Sequence, residues 1–391
     1  MSAWPTISLS EIAQKVDYGV TASATQDSSG PKFLRITDIQ EGGVNWNDVP
    51  WCECDERALS RSLLQTGDIV FARTGATTGK SYLIRECPDK AVFASYLIRV
   101  RLNEKADPAY LIHFFSTPYY WAQISSGARG AAQLGVNATT LQALKIPILA
   151  LSEQKRIAAI LDQAELIQNK RRAAVGLLDD LAHSIFNDMF GDPISNPYGF
   201  QEITLGDVIY KATDGPHVSP VYVEQGIPFL STRHIRKGVV DWGDMKFISS
   251  SDAEIHWRKC KPEKGDILYT KGGTTGVAAV VDFDREFAVW VHVALLKVNK
   301  VKVNPVWLES MLNSDHCYRQ SQKLTRGIVN KDLGLKRMVD INMYLPPLEI
   351  QEEYVSRLAA LRKLKADSLS QLAEFDALFA SLQHRAFRGE L

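Results

Sequence analysis

Nowhere in the 391 residues is there an apolar run near the roughly 20 residues that a membrane helix needs. The opening MSAWPTISLSEIAQ lacks the features of a signal peptide, and a cytoplasmic protein with no membrane partner is expected. Cysteine is scarce: Cys52, Cys54, Cys87, Cys260 and Cys317 are odd in number and scattered, which fits a reducing compartment better than a disulfide framework. Cys52-x-Cys54 has the wrong spacing for a zinc knuckle and no second pair, so no metal is expected. Net charge is missing too, since 45 Lys and Arg face 45 Asp and Glu. A strongly basic nucleic-acid binder is thereby disfavoured, although local basic patches remain compatible. The eight histidines form no H-E-x-x-H pair, and no G-x-S-x-G or F-x-G-x-G loop occurs. Nothing marks a catalytic centre.

What is present is a duplication. Gly67-Asp68-Ile69 recurs 198 residues later as Gly265-Asp266-Ile267. Thr77-Thr78-Gly79 recurs after 197 as Thr274-Thr275-Gly276, and Arg129-Gly130 after 197 as Arg326-Gly327. Phe33-Leu34, Ile39, Gly42 and Trp46 match Phe229-Leu230, Ile235, Gly238 and Trp242 at a shift of 196. The order is kept and the shift drifts by single residues, as small loop insertions would cause. The chain therefore divides into copies of about 1–196 and 197–391, each a domain-sized unit and too long for a solenoid repeat.

Both copies share one plan. GDIVFAR and GDILYTK are β-prone runs opened by a Gly-Asp turn, and YLIRVRL and VALLKVN read as partly buried strands. A helical piece follows, PAYLIHFFSTPYYWAQI or PVWLESMLNSDHCYRQSQ. Asp107-Pro108-Ala109-Tyr110 falls one residue short of an adenine-methyltransferase DPPY motif, and its partner is Asn304-Pro305-Val306-Trp307. Asp or Asn before Pro is the expected start of a helix. Each copy ends in a long helix with 3-4 apolar spacing, through Leu161, Val175, Leu178 and Ile185 in one and Leu358, Leu361, Leu372, Phe375 and Leu382 in the other. Arg171 and Lys365 interrupt the seams. The pattern predicts a coiled coil; two helices each packed on its own domain is the alternative.

Residues 73–81, RTGATTGKS, look like a P-loop, but the template needs four residues between its glycines and Gly75 and Gly79 enclose three. The second copy reads Gly272-Gly273-Thr274-Thr275-Gly276-Val277-Ala278, without the lysine and serine. What the copies share is a Gly/Thr turn preceded by Arg73 or Lys271. A plain hairpin turn and a phosphate-contacting turn both fit. A nucleotide-binding enzyme built on Gly75–Ser81 stays open as an alternative, as does a protein-interaction scaffold with inert β-domains.

Taken in order, G-D-I, R-x-G-x-x-x-G-K, R-G, Ile146-Pro147 and a helix opening Glu153-Gln154-Lys155-Arg156-Ile157 resemble the specificity (S) subunit of type I restriction–modification enzymes. In the second copy the matching pieces are Gly265-Asp266-Ile267, Arg326-Gly327 and Leu345-Pro346-Pro347-Leu348 with Gln351. Ile350 and Lys271-Gly272-Gly273 depart from the pattern. The resemblance implies an α+β chain. Two tandem β-rich target recognition domains (1–150 and 197–347) would be separated by two long spacer helices (151–190 and 348–391) forming an antiparallel coiled coil, with pseudo-twofold internal symmetry. It implies a bacterial or archaeal subunit that makes no bonds itself and holds no cofactor. Such a subunit binds double-stranded DNA and recruits two methyltransferase subunits, which use S-adenosylmethionine, and restriction subunits, which use ATP and Mg. A helix of about 38 residues spans roughly 57 Å, capping the half-site separation near ~17 base pairs.

Base reading calls for paired donors and acceptors, chiefly Arg, Lys, Asn and Gln. The candidates in the first domain are Arg73, Thr77, Thr78, Lys80, Arg129, Gln133 and Asn137. In the second they are Arg233, His234, Lys271, Thr274, Thr275, Arg326, Asn330 and Lys331.

Overall fold

Each Gly-Asp turn needs its glycine for backbone reasons: Gly67 sits at φ +93° and Gly265 at +89° in the computed structural model, a region open mainly to glycine. The following aspartate closes the turn, Asp68 accepting from the Gln65 amide at 2.9 Å and Asp266 from the Glu263 amide at 2.7 Å. The chain then enters the strands Ile69–Ala72 and Ile267–Thr270, buried at every position. The structure describes residues 4–40, 43–127 and 135–391.

These strands lie inside four-stranded antiparallel sheets of identical order. One sheet runs Ala13–Tyr18, Leu97–Leu102, Ile69–Ala72, Ser81–Leu83; the other runs Ile209–Asp214, Val293–Val298, Ile267–Thr270, Ala278–Val280. A second four-stranded sheet accompanies each. In it, Ala91–Phe93 runs parallel to Lys32–Leu34, as Ala288–Val289 does to Ile227–Leu230. The duplication read from sequence is thus a duplication of topology. The helical piece of each copy proves to be two helices, Pro108–Phe114 and Pro118–Gly127, then Pro305–Leu312 and Asp315–Leu324. The break follows from chemistry at the joint: a Thr117-Pro118 start in one, and in the other an N-cap Ser314 that accepts from the Cys317 amide at 3.3 Å. Asp107 and Asn304 are N-caps with proline next, which accounts for the methyltransferase-like tetrapeptide.

The long helices are Leu151–Phe190 and Leu348–Arg388, of 40 and 41 residues. The chain forms two compact units: Met1–Ala173 with Leu369–Leu391, and Ala174–Ser368. Each unit therefore takes in the last part of the other copy's helix. Phe387 packs 5.1 Å from Tyr110 and 5.5 Å from Phe114 in the first unit. Its counterpart Phe190 packs 5.9 Å from Trp307 and 5.3 Å from Tyr354 in the second. The helices pair antiparallel within each unit. In the first, Gln168 and Arg172 bond Asp376 while Arg171 bonds Gln371 at 2.7 Å. In the second, Phe186 meets Tyr354 and Asp179 meets Lys365. Leu161, Leu358 and Leu361 are buried, and Val175, Leu178, Ile185, Leu372, Phe375 and Leu382 are half-buried on the inward stripe. The polar seam members have partners: the Arg171 guanidinium lies 4.5 Å over the Phe375 ring, and Lys365 pairs with Asp179.

Gln154 and Gln351 tie each long helix to the globular part of its own copy. Gln154 Oε1 accepts the Asp107 amide at 2.9 Å while Nε2 donates to the Lys105 and Leu149 carbonyls. Gln351 Oε1 accepts the Asn304 amide at 2.8 Å and Nε2 donates to the Pro346 carbonyl. Both are fully buried. Gln154→Leu strands an amide and two carbonyls, and a loss of about 1–3 kcal/mol is expected in urea unfolding, with Gln351→Leu giving a similar loss in the second unit.

Candidate nucleic-acid interface

The Gly75–Ser81 turn joins two antiparallel neighbours, Ile69–Ala72 and Ser81–Leu83, where a P-loop would join a strand to a helix. Three of its amides are spent on the hairpin itself: Thr78 N to the Gly75 carbonyl at 3.1 Å, Gly79 N to Ala72 at 2.9 Å, Lys80 N to Thr77 at 2.9 Å. A turn between antiparallel strands lacks the helix N-terminus that a P-loop offers a phosphate, so the loop is a β-hairpin turn and the nucleotide-binding alternative is not supported. A saturable ATP titration in the micromolar range is not expected.

Around this turn the first unit assembles several candidates. Arg73 is exposed, with its guanidinium 5.0 Å over the Tyr18 ring. Its amide donates to the Tyr96 carbonyl and its carbonyl accepts from Val136 N at 3.1 Å. The Tyr18 hydroxyl accepts from Ala138 N, which brings the Asn137 cap to the same neighbourhood. Asn137 Oδ1 is committed to the amide and hydroxyl of Thr140. Thr78 Oγ1 donates to the Gly75 carbonyl at 2.7 Å, Thr77 is half-buried, and Lys80 is exposed. Gly79 is fixed at φ +85°, where an added Cβ would lie 3.1 Å from Ile124 and Trp121. Arg129 and Gln133 lie outside the described residues.

The second unit uses equivalent positions differently. Lys271 is buried, its Nζ 3.1 Å from Asp332 and 3.3 Å from Asp214. It is a structural ion pair where Arg73 is a surface cation. Thr275 is buried too, with its hydroxyl 3.0 Å from that of Thr325, while Thr274 is exposed. His234 is interior: its Nδ1 accepts the Ser231 amide at 2.9 Å, the capping role that Asp38 fills for Arg35 in the first copy. Burial holds its imidazole below the ordinary value. Arg233 is paired with Asp244 at 3.0 Å. Arg326, Asn330 and Lys331 are exposed together on one loop.

Two exposed positions flanking the turns were missed in sequence, Tyr96 and His292. Each offers its carbonyl to the amide of the turn's leading cation, Arg73 or Lys271. Their matching place 196 residues apart was the available signal. Among the described residues, His113, Asp162 and Glu165 converge closely enough to hold a cation. The oxygen that meets His113 Nε2 at 2.9 Å, Asp162 Oδ1, is however already bonded to the Arg85 guanidinium at 3.0 Å.

Residues 1–175 and 197–374 match the family described as type I restriction modification DNA specificity domain. A putative type I restriction enzyme MjaX specificity subunit of Methanocaldococcus jannaschii is 23% identical over 386 residues, covering 92% of this chain and 87% of that one. The type I restriction enzyme EcoBI specificity subunit of Escherichia coli is 25% identical over 341 residues, covering 78% and 70%. Among solved structures, a chain from work on assembly and conformational transition of the type I R-M system superposes with a TM-score of 0.60 at 19% identity, over 99% of this chain and 98% of that one. The type I restriction–modification S subunit from M. genitalium gives 0.58 at 13% identity, over 99% and 96%. These two likenesses show the fold. No helix among the described residues is long and apolar enough to cross a membrane.

Proposed function

The chain belongs to the type I restriction–modification DNA specificity family, and from that premise we propose that it reads an asymmetric, bipartite double-stranded target, one recognition domain per half-site. The observation that carries this is the pair of topologically identical domains whose equivalent turns have diverged, Arg73 lying exposed where Lys271 is buried. Two copies in one chain imitate a DNA-binding dimer, and unlike copies suit unlike half-sites. On this proposal the subunit catalyses nothing. It works in the cytoplasm, recruiting two methyltransferase subunits, which supply S-adenosylmethionine chemistry, and restriction subunits, which use ATP and Mg.

Mapping the bases methylated by the assembled complex tests the proposal. Two short, different specified blocks around an indifferent spacer are expected, and one continuous specified block would refute it. Lys80 is exposed beside the first turn and is assigned to a backbone phosphate. Lys80→Ala should then weaken binding similarly on all sequences and flatten the log–log salt dependence by about 1 unit. A loss confined to particular base pairs would show that Lys80 reads bases.

A further inference from the structure

Arg326 and Asp332 exchange both backbone hydrogen bonds, at 2.9 and 2.8 Å, and close a five-residue loop, Gly327 to Lys331. The base of this hairpin is firmly held. Lys271 and Arg337 both reach Asp332, Leu333 N donates to the Lys271 carbonyl at 2.7 Å, and Gly273 N donates to the Lys331 carbonyl at 3.0 Å. Gly327 turns at φ +91°, where an added Cβ would lie 2.3 Å from the Asn330 carbonyl oxygen. The tip is the opposite of the base. Ile328 is 96% exposed and Val329 90%, so two adjacent β-branched side chains forgo the burial that would favour them inside. The side chains of Arg326, Asn330 and Lys331 beside them are exposed and enter no hydrogen bond or ion pair given by the structure among the described residues.

We propose that this hairpin tip enters the major groove of the second half-site and that Ile328 and Val329 read thymine C5-methyl groups there. The inference rests on the DNA-reading function proposed above and deepens it to a specific base feature. A B-DNA major groove is wide enough for a two-stranded β-ribbon, and the thymine methyl is the apolar mark among the base edges it displays. Stiff, branched side chains on an anchored loop lose little rotamer freedom on contact. Arg326 and Lys331, one on each side of the apolar pair, suit the phosphates that flank the groove. A protein partner fits less well, because the core of a protein interface is depleted in lysine and the Lys331 side chain stands unpaired, among the described residues, beside the two apolar side chains. Lys271 and Asp332 act at the base as positioning residues.

The test uses the full chain assembled with its modification subunits, on DNA carrying the target mapped from its methylated bases. Thymines of the second half-site are replaced one at a time by deoxyuridine, which removes only the methyl group, and binding is measured by competition. At one or two positions the wild type should bind about 3- to 10-fold more weakly. The double variant Ile328→Ser, Val329→Ser should be insensitive to the same replacements while binding non-specific DNA as the wild type does. The proposal is overturned if no second-half-site thymine responds, if that half-site contains no thymine, or if the double variant keeps the wild-type response. It is equally overturned if that variant loses its modification subunits and not its base discrimination, which would make the tip a protein contact. Mismatches in the first half-site serve as the separate control. Their continued discrimination leaves the DNA-reading function standing when the hairpin proposal fails, and its absence throughout would remove that function as well.

Discussion

Arg99→Ala is expected to destabilise the first unit by about 3–5 kcal/mol, the range seen when one partner of a buried ion pair is removed. The Arg99 side chain is fully buried. It makes a two-pronged contact with Asp17, at 2.9 and 2.7 Å, and donates to the carbonyls of Leu63 and Arg61. Asp68, which is 1% exposed and paired with Arg101 at 2.7 Å, lies 3.7 Å away. Truncation would take the two-pronged donor from Asp17, which keeps only Lys15 at 3.3 Å, and would remove one cation from beside the buried Asp68. The Leu63 and Arg61 carbonyls and Asp68 keep Arg101 or Lys15 as donors. The second unit solves the same place without charge. Arg99 pairs with Val70 in the sheet as Leu295 pairs with Leu268, and Leu295 is buried in an apolar cluster. Urea unfolding, with hydrogen exchange to locate the loss in the first unit, measures the effect. A change below about 0.5 kcal/mol, the size of a typical surface substitution, would show that the network contributes little.

How far the sequence could be read depended on whether a feature is local. The Gly-Asp turns, the Asp107-Pro108 and Asn304-Pro305 caps and the apolar stripes of the long helices rest on neighbours within a few residues, and all are visible in the string. The repeat itself was visible because residues of special backbone conformation, such as Gly67 and Gly265 or Gly79 and Gly276, recur in the same order at nearly constant shifts. What stayed hidden depends on distant partners. Lys271 looks like a surface cation until Asp332, 61 residues on, and Asp214 enclose it. His234 looks like a base reader, yet it replaces Asp38 as the cap of a short 3-10 turn. The compact units also cut across the repeat, changing over at Ala173/Ala174 and Ser368/Leu369. No local pattern announces that Phe190 and Phe387 would each pack into the other copy's domain. Ile328 and Val329 were passed over for a related reason, since an apolar pair in sequence reads as core until its exposure is known.

That divergence bears on function. A cation just ahead of the Gly/Thr turn is common to both copies, but the first leaves it at the surface and the second consumes it to anchor a hairpin. Among the described residues the first domain thereby presents a cation at this turn and the second an apolar-tipped loop. Surfaces so different suit different base sequences, which is what an asymmetric target requires.

Arg362→Leu is expected to destabilise the second unit by about 3–5 kcal/mol at pH 8 and by clearly less at pH 5. Glu309 is 2% exposed; its carboxylate accepts the Val280 amide at 2.7 Å and the Arg362 guanidinium at 2.6 Å. Burial pushes this carboxyl above its ordinary value, Asp282 adds to the rise, and Arg362 opposes it. With a raised value the folded state keeps a proton that the unfolded chain has released. Stability therefore falls as pH climbs from the unfolded glutamate value, about 4.3, through the folded one. Losing Arg362 raises the folded value further, so the window widens upward and the deficit relative to wild type grows with pH. At pH 5 the carboxyl can take a proton and much of the cost disappears. Urea midpoints of both proteins at the two pH values make the comparison, and an equal or larger deficit at pH 5 would contradict it. Adding Glu309→Gln to the variant keeps an acceptor for the Val280 amide and removes the buried charge. The double variant should recover most of the loss at pH 8 and show no pH-dependent deficit, because the penalty belongs to a carboxylate left without its cation and not to the missing arginine itself.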